Sequence, residues 1–250
     1  CSVCSEVLRD PVSIPCGHSY CMQCISTYWV QPGPAGDYVC LQCSKRSRVR
    51  PVLCTNTALA RLLQGLQQAV DVTLDPDTAH PKLILSEDRK QVRCGDTKQD
   101  LPDNPERFDT VPCILGKEGF SSGRFYYEVQ VKEKTGWILG VVRESINRKG
   151  EITVSPENGN WTVLLREEGY RAITDPPVPL SLKEKPQKVG VFVDYENGRV
   201  SFHNVEAWSH IYSFTGCTFT EKLYPFFSPG NNYTGKNSTP LVITPVDITD

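Results

Sequence analysis

Eight side chains that bind metals lie within the first 43 residues of this 250-residue chain. They form four close pairs, namely Cys1 and Cys4, Cys16 and His18, Cys21 and Cys24, and Cys40 and Cys43. Thiolate and imidazole are the ligands that Zn²⁺ takes in closed tetrahedral sites, and a Cys-x2-Cys step holds one ion from a single turn. Eight ligands fill two such sites and leave no position for water. We therefore predict two structural zinc ions.

Two other interpretations of the cysteine cluster are a redox dithiol and a secreted disulfide module. Three separate Cys-x2-Cys steps with an interleaved Cys-x-His argue against both. The remaining cysteines, Cys54, Cys94, Cys113 and Cys217, occur singly, as is typical of buried thiols in a reducing compartment. We therefore expect a cytoplasmic protein. Because the chain begins at Cys1 without a methionine, we also expect residues to precede it.

The elements that position these ligands must be small. A segment of about 45 residues buries too little apolar surface to fold unaided, so zinc should contribute roughly 10 kcal/mol or more per ion to its folding. The order of the pairs, with a single histidine in the second pair, resembles the RING finger. That resemblance implies a cross-braced arrangement, with the first and third pairs on one zinc and the second and fourth pairs on the other.

The RING resemblance also implies a function. Such domains bind a ubiquitin-charged conjugating enzyme and promote transfer of ubiquitin to a lysine without a covalent intermediate of their own. The matching docking positions here are Val3, Trp29 and Leu41. Two positions depart from the family, because Leu41 stands where proline is usual and Ser44 stands where a basic residue often clamps ubiquitin. We therefore expect the ligase activity to be weak or to depend on a partner.

Residues 45–70 connect the two halves of the chain. They begin with four cations in six residues, which suggests RNA binding, but the run has no interleaved aromatic side chains and usually marks a solvated face. A helical stripe follows at Leu59, Leu62, Leu63, Leu66 and Val70. Residues 50–60 resemble tripartite-motif RING proteins, in which such helices pair two RING domains. The sequence leaves open whether the stripe forms a homodimer or docks on the next domain.

The net charge and the residue periodicity of the chain both change near residue 70. The first 70 residues carry a net charge of +3 and the rest carry −5, and helical periodicity gives way to alternating segments separated by Gly, Pro and Asn. Residues 125–131, 137–142 and 161–165 are predicted strands. Asn197-Gly198 between residues 189–195 and 199–203 predicts a hairpin. About 180 residues of this kind indicate a β-sandwich or barrel.

Five separated motifs in residues 71–250 resemble the PRY/SPRY domain; they lie at 72–76, 125–129, 139–141, 193–196 and 225–230. The resemblance implies a two-sheet sandwich without catalytic machinery, whose loops bind protein targets. Positions matching the pocket of the family's antibody-binding member hold Ile138, Leu164, Arg166 and Asn231, so that specificity is not expected here. Our candidates for a recognition surface are Trp137, Arg166, Tyr170, Asn231, Asn232 and Tyr233, chosen as hot-spot residue types on loops. Core packing is an equal alternative for Trp137 and Tyr170.

Other functional classes are disfavoured. No apolar run approaches the roughly 20 residues that cross a bilayer, and His80, His203 and His210 stand alone in the sequence. We therefore predict an α+β RING finger at residues 1–44, a basic segment and short helix at 45–70, and an all-β PRY/SPRY sandwich at 71–250. The expected function is a tripartite-motif ubiquitin ligase, with a suggested role in innate immunity, although no B-box or long coiled coil separates the two domains. The alternatives are a non-catalytic binding or decoy protein with an impaired RING, and an RNA-binding regulator.

Overall fold

The computed structural model describes residues 1–5, 8–30, 37–56, 60, 68–207, 209–232 and 235–246. The chain divides into two compact units, Cys1–Gln67 and Gln68–Asp250. In the described residues no helix is long and apolar enough to cross a membrane.

The described residues of the first unit form one helix and five short strands. These are β1 (Pro11–Ser13), β2 (Ser19–Cys21), α1 (Met22–Tyr28), β3 (Tyr38–Val39), β4 (Arg46–Ser47) and β5 (Cys54–Thr55). Strand β1 pairs with both β2 and β5, and β3 pairs with β4, all antiparallel. Strands β4 and β5 therefore extend the folded unit beyond the last predicted zinc ligand.

The apolar core of the first unit is small. It consists of Val12, Ile14, Tyr20, Ile25, Trp29 and Cys40. Six buried side chains are few for a folded unit, so this core agrees with the expectation that metal ligands must supply stability. The predicted helical stripe at Leu59, Leu62, Leu63 and Leu66 lies outside the described residues.

The second unit is a two-sheet sandwich of antiparallel strands, which confirms the predicted fold class. Its first strands are β6 (Leu83–Leu85), β7 (Gln91–Cys94), β8 (Ile114–Leu115), β9 (Arg124–Gln130), β10 (Trp137–Arg143), β11 (Asn160–Arg166) and β12 (Gly169–Ala172). The remaining strands are β13 (Val178–Leu180), β14 (Lys188–Asp194), β15 (Arg199–Asn204), β16 (Ser209–Phe214), β17 (Leu223–Ser228) and β18 (Leu241–Thr244). One sheet has the order β13-β12-β11-β10-β17-β8, and the other has the order β16-β15-β14-β9-β18-β7-β6.

The main core lies between the two sheets. In β9, Phe125, Tyr127 and Val129 alternate along the strand and all belong to this core. Tyr127 also donates its hydroxyl to the carbonyl of Gly140 in the opposite sheet, at 2.6 Å. The alternation that predicted the strand therefore also identifies its inward face.

The predicted hairpin joins β14 to β15, with Asp194 opposite Arg199. Its turn spans four residues and is closed by a hydrogen bond from Gly198 N to Tyr195 O at 3.3 Å. Gly198 has φ of +56°, where a Cβ would lie 1.9 Å from the carbonyl oxygen of Cys217. Glycine is therefore required here both by the backbone conformation and by the lack of space.

A second apolar cluster lies against β8, β10 and β17. It contains Phe108, Cys113, Leu115, Val142, Ile146 and Phe226. Phe108, Cys113 and Ile146 come from connecting segments, so these segments are anchored on the sheet. Val111 and Pro112, in the segment before β8, line the cleft of this unit that is described below.

Candidate functional site

The eight predicted zinc ligands form two groups in the first unit. Cys1, Cys4, Cys21 and Cys24 make one group, and Cys16, His18, Cys40 and Cys43 make the other. Within each group all ligand atoms lie within 4.8 Å of one another. These are the two sets that the cross-braced arrangement implies.

Two similar turns present the first and last Cys-x2-Cys pairs. Ser5 N donates to Cys1 O and Ser44 N donates to Cys40 O, both at 2.8 Å. Ser5 and Ser44 have φ of +55° and +57°, so each turn ends in a left-handed residue. The other ligands come from the turn before β2 and from the junction of β2 with α1.

The ligand spacings fit tetrahedral zinc. With Zn–S near 2.3 Å and Zn–N near 2.05 Å, tetrahedral geometry requires about 3.8 Å between two sulfurs and about 3.6 Å between sulfur and nitrogen. The Cys4 and Cys21 sulfurs are 4.0 Å apart. His18 Nδ1 lies 3.4 Å from Cys16 Sγ and 3.6 Å from Cys40 Sγ. The first unit is therefore a zinc finger that accommodates two zinc ions, with Nδ1 as the histidine ligand atom.

The pKa values of the cysteine thiols agree with a requirement for metal ions. Burial and the neighbouring Cys4 and Cys21 sulfurs raise the pKa of Cys24 to about 11. Four crowded thiols therefore do not ionise together unless a cation compensates their charge. In the second group, burial alone would raise the pKa of Cys40, but hydrogen bonds from Tyr20, Cys43 N and Gln42 N outweigh it and lower that pKa to about 6.

Tyr20 is a functional candidate that the sequence reasoning missed. Its buried hydroxyl lies 3.0 Å from Cys40 Sγ and accepts a hydrogen bond from Gln42 N at 3.2 Å. Burial raises its pKa to about 12. The hydroxyl thus ties β2 to the turn that carries Leu41. The only sequence signal was an aromatic residue beside a zinc ligand.

The three predicted docking residues differ in accessibility. Val3 and Leu41 are 37% and 41% exposed, whereas Trp29 is only 3% exposed. Trp29 Nε1 donates to Val39 O at 3.2 Å, and its ring packs edge-on against Tyr38. The expectation of an exposed Trp29 is therefore wrong, because this side chain completes the small core.

The neighbouring Tyr28 is exposed instead. Tyr28 and Thr27, from α1, line a cleft of about 500 Å³ together with Val3. An aromatic side chain next to an exposed valine has the character of a small docking patch. Sequence reasoning selected the adjacent aromatic residue because spacing alone does not fix which face of a short helix is buried.

The second unit brings together three of the predicted recognition residues. Trp137, Arg166 and Asn231 line one cleft of about 450 Å³, together with Ile138 of the family's pocket positions. Trp137 is itself buried and packs against Tyr170 with ring centroids 6.1 Å apart. For Trp137 and Tyr170 the alternatives were a recognition surface and core packing. Core packing covers most of the surface of both side chains.

The other recognition candidates contribute differently. Tyr170 and Asn232 are not among the residues lining this cleft, and Asn232 Oδ1 accepts a hydrogen bond from Asn237 N at 2.9 Å. Tyr233 lies outside the described residues. Glu167 and Glu168, which were not predicted, line the cleft and are exposed. The cleft therefore carries one cation, Arg166 at the end of β11, and two carboxylates on the turn that follows.

Asn237 ties together the two loops that border this cleft. Its buried Oδ1 accepts hydrogen bonds from Lys134 Nζ, Thr135 N and Gly136 N at 3.1, 3.0 and 3.3 Å. Its Nδ2 donates to the carbonyls of Gly136, Pro229 and Asn231 at 2.9, 2.9 and 3.2 Å. The amide thus joins the β9–β10 loop to the β17–β18 loop. Sequence reasoning did not select Asn237, because its partners on the β9–β10 loop lie more than 100 residues away in the chain.

The histidines of this unit have structural contacts. His80 is buried, its Nε2 lies 3.1 Å from Asp109 O, and burial lowers its pKa. His203 and His210 stand alone in the sequence but pair across β15 and β16, with ring centroids 5.6 Å apart. The pairing follows from strand register, which the sequence pattern did not specify.

Comparisons with known families agree with both units. Residues 1–43 match the C3HC4-type RING zinc finger, residues 72–120 match the SPRY-associated domain PRY, and residues 124–242 match the SPRY domain.

The similar proteins match this chain over only part of their own length. Mouse (Mus musculus) "E3 ubiquitin-protein ligase TRIM21" is 49% identical over 178 residues, which are 71% of this chain and 38% of the relative. Human (Homo sapiens) "Pyrin" is 51% identical over 186 residues, 74% of this chain and 24% of the relative. Mouse "Erythroid membrane-associated protein" is 57% identical over 175 residues, 70% of this chain and 31% of the relative. The chain thus spans less than two thirds of each.

Two solved structures share the fold. The "TRIM65 PSpry domain" superimposes with a TM-score of 0.60 at 20% identity, covering 74% of this chain and 95% of that one. "Stonustoxin structure" gives a TM-score of 0.63 at 27% identity, covering 73% of this chain and 30% of that one.

Proposed function

Because this chain belongs to the tripartite-motif type of PRY/SPRY protein, with a RING zinc finger ahead of the sandwich, we propose that it is a RING-type ubiquitin-protein ligase. In this proposal the first unit binds a ubiquitin-charged conjugating enzyme and the second unit binds the protein to be modified. The observation that carries the proposal is the exposed pair Val3 and Leu41, presented on the turns that carry the first and last pairs of zinc ligands.

The docking step depends on this chain's own side chains. Zinc supplies only structure, since each site has four protein ligands. Val3, Tyr28 and Leu41 offer apolar surface of the size that forms the centre of a small protein interface. Trp29 supports this surface from within the core. The chain offers no nucleophile here, so transfer would run directly from the conjugating enzyme to a lysine of the bound target.

Target capture is proposed for the cleft of the second unit. Arg166, Glu167, Glu168 and Asn231 supply charged and amide groups around it, and Asn237 fixes the two loops that border it. The positions that match the antibody-binding pocket carry Ile138, Leu164, Arg166 and Asn231. Leu164 is buried, so the target is expected to differ from an antibody.

A second candidate function is a non-catalytic binding protein, and Ser44 is the observation that favours it. Ser44 occupies the position of the ubiquitin-clamping basic residue, in a left-handed conformation. Lys45 and Arg46 follow, but Arg46 belongs to β4 and lies 3.8 Å from Asp37. A cation one or two residues away does not reproduce the planar, multi-donor geometry of an arginine at position 44.

Autoubiquitination by the zinc-loaded chain with a panel of conjugating enzymes tests the proposal. We expect ubiquitin chains from at least one enzyme, and at least a roughly tenfold loss in Leu41→Glu, a loss typical of a central interface residue. Val52→Asp is the matched control, because Val52 is equally apolar and 73% exposed but is not among the residues that line the cleft with Val3 and Tyr28. Equal losses in both variants would contradict the proposed docking surface.

Ser44→Arg separates the two candidate functions. Serine and arginine have the same cost in a left-handed conformation, so this variant should fold normally. If the natural chain forms no ubiquitin chains with any enzyme while Ser44→Arg does, the non-catalytic function is supported. If neither protein forms them, the ligase proposal fails.

Three further predictions stay predictions: cytoplasmic location, a role in innate immunity, and a homodimer formed through the predicted helix that flanks the RING. Sedimentation equilibrium of the full chain tests the last of these. A monomer at all concentrations would contradict the dimer.

A further inference from the structure

The first unit has a groove that none of the functions above uses. It has a volume of about 400 Å³ and lies beside β3, β4 and the segment that follows β4. We call it the β3–β4 groove. Its apolar lining includes Ile14, Tyr38, Val49 and Val52. Val3, Tyr28 and Leu41 are not among its lining residues, so its opening differs from the proposed conjugating-enzyme surface, although the buried Trp29 lines the groove and also supports that surface.

The basic segment that sequence analysis singled out forms one wall of this groove. Arg46 and Ser47 pair with Val39 and Tyr38 of β3. Ser47 Oγ donates to Val49 O at 2.6 Å and accepts from Val49 N at 3.3 Å. This local turn fixes the backbone and leaves Val49 77% exposed. Val52, three residues later, is 73% exposed.

The rim of the β3–β4 groove is strongly cationic. Lys45, Arg46 and Arg50 line it and are exposed. The one acidic neighbour that the structure describes as pairing with them is Asp37, 3.8 Å from Arg46, with side chains 17% and 66% exposed respectively. A pair at that distance with a solvated guanidinium neutralises little charge. The groove thus combines two prominent valines with an excess of positive charge.

We propose that the β3–β4 groove docks a protein segment that carries one large apolar side chain flanked by carboxylates. The volume fits one or two such side chains, the valines supply the apolar contact, and the three cations complement acidic flanks. A single-stranded RNA fits less well, because base stacking needs exposed aromatic rings. Here Trp29 is buried and Tyr38 is half-buried against it.

Arg48 provides an internal control within the basic segment. It is exposed and lies in the same run, but it is not among the residues lining the groove. General attraction between the basic run and any polyanion would depend on Arg48 as much as on Arg50. Docking in the groove would depend on Arg50 and not on Arg48.

Fluorescence polarisation of the full, zinc-loaded chain tests the proposal. The probe is a fluorescein-labelled nonapeptide with a central phenylalanine and Asp or Glu elsewhere. The comparison probes replace the phenylalanine by glycine, or all acidic residues by lysine. We expect about tenfold weaker binding in Val52→Asp and a loss of about threefold to tenfold in Arg50→Glu. Val30→Asp and Arg48→Glu should change affinity less than about twofold, and zinc content and unfolding midpoint verify that each variant folds.

Several outcomes would overturn the proposal. These are no binding of the acidic phenylalanine peptide, equal binding of the glycine peptide, or equal losses in Arg48→Glu and Arg50→Glu. Displacement of the peptide by a single-stranded RNA of 20 nucleotides, with tighter binding of that RNA, would assign the groove to nucleic acid instead. None of these measurements requires ligase activity, so they succeed or fail independently of the proposed function.

Discussion

Replacing Asn237 by alanine should loosen the two loops that border the proposed target cleft. The change removes three hydrogen bonds accepted by Oδ1 and the two N–H groups of Nδ2, which are shared among three carbonyls. It leaves the hydrogen bond from the backbone of residue 237 to Asn232 intact. Because the amide is buried, water does not fully replace these partners.

The magnitude follows from the number of bonds. At about 1 kcal/mol per bond, three accepted and two donated bonds set an upper value of roughly 5 kcal/mol, and partial rehydration at the loop surface reduces this to about 3–4 kcal/mol. For a unit of this size, about 2–4 °C is lost per kcal/mol, so we expect the unfolding midpoint of the second unit to fall by roughly 10 °C.

Urea or thermal unfolding followed by tryptophan fluorescence measures this loss. The matched control is Asn147→Ala, since Asn147 is an exposed amide that bonds Lys149 N and Lys149 O in a loop away from the cleft. It should cost less than about 1 kcal/mol. Amide hydrogen exchange should accelerate most at residues 132–136 and 229–237. The reasoning is refuted if Asn237→Ala costs no more than Asn147→Ala, or if exchange accelerates uniformly across the sandwich.

Four further outcomes are expected. Chelating zinc should unfold the first unit and leave the cooperative unfolding transition of the second unit intact, as calorimetry would show. Tyr20→Phe removes the hydroxyl beside Cys40 and should weaken zinc binding about tenfold in a chelator competition, whereas unchanged affinity would contradict the role given to Tyr20. Gly140→Ala places a Cβ 2.1 Å from Trp161 O at φ of +155° and should prevent folding of the second unit, whereas Gly150→Ala, with open space around it, should yield folded protein. Burial lowers the pKa of Lys134 to about 8 against about 10.4 in an unfolded chain, so the contribution of Lys134 to stability should rise with pH between these values. Lys134→Met should remove that contribution, which urea titrations would show as a difference in pH dependence between the two proteins.

The local sequence was sufficient to predict the features that depend only on residues close together in the chain. Cys-x2-Cys spacing dictates a turn that presents two sulfurs, and the two zinc groups follow from ligand chemistry. Alternation in residues 125–131 and the Asn197-Gly198 pair likewise identified strands and a hairpin, because strand faces repeat every two residues and the turn needs positive φ at Gly198.

Other features depend on packing between distant segments. Whether Tyr28 or Trp29 is exposed is decided by Tyr38 and Val39, which close over one side of α1. The meeting of His203 with His210 is set by the register of β15 and β16. Neither contact leaves a signal in the spacing of the residues concerned.

The sequence by itself determined the two units, the zinc ligands and the strand-rich character of the second unit, because these follow from residue type and short-range periodicity. The tertiary structure alone decided which side chains are available to partners. Burial turned Trp29 and Trp137 from recognition candidates into core residues, and made Asn237 the amide that joins two loops. The physical reason is that exposure and hydrogen-bond saturation are set by segments as much as 100 residues apart, as with Asn237 and Gly136.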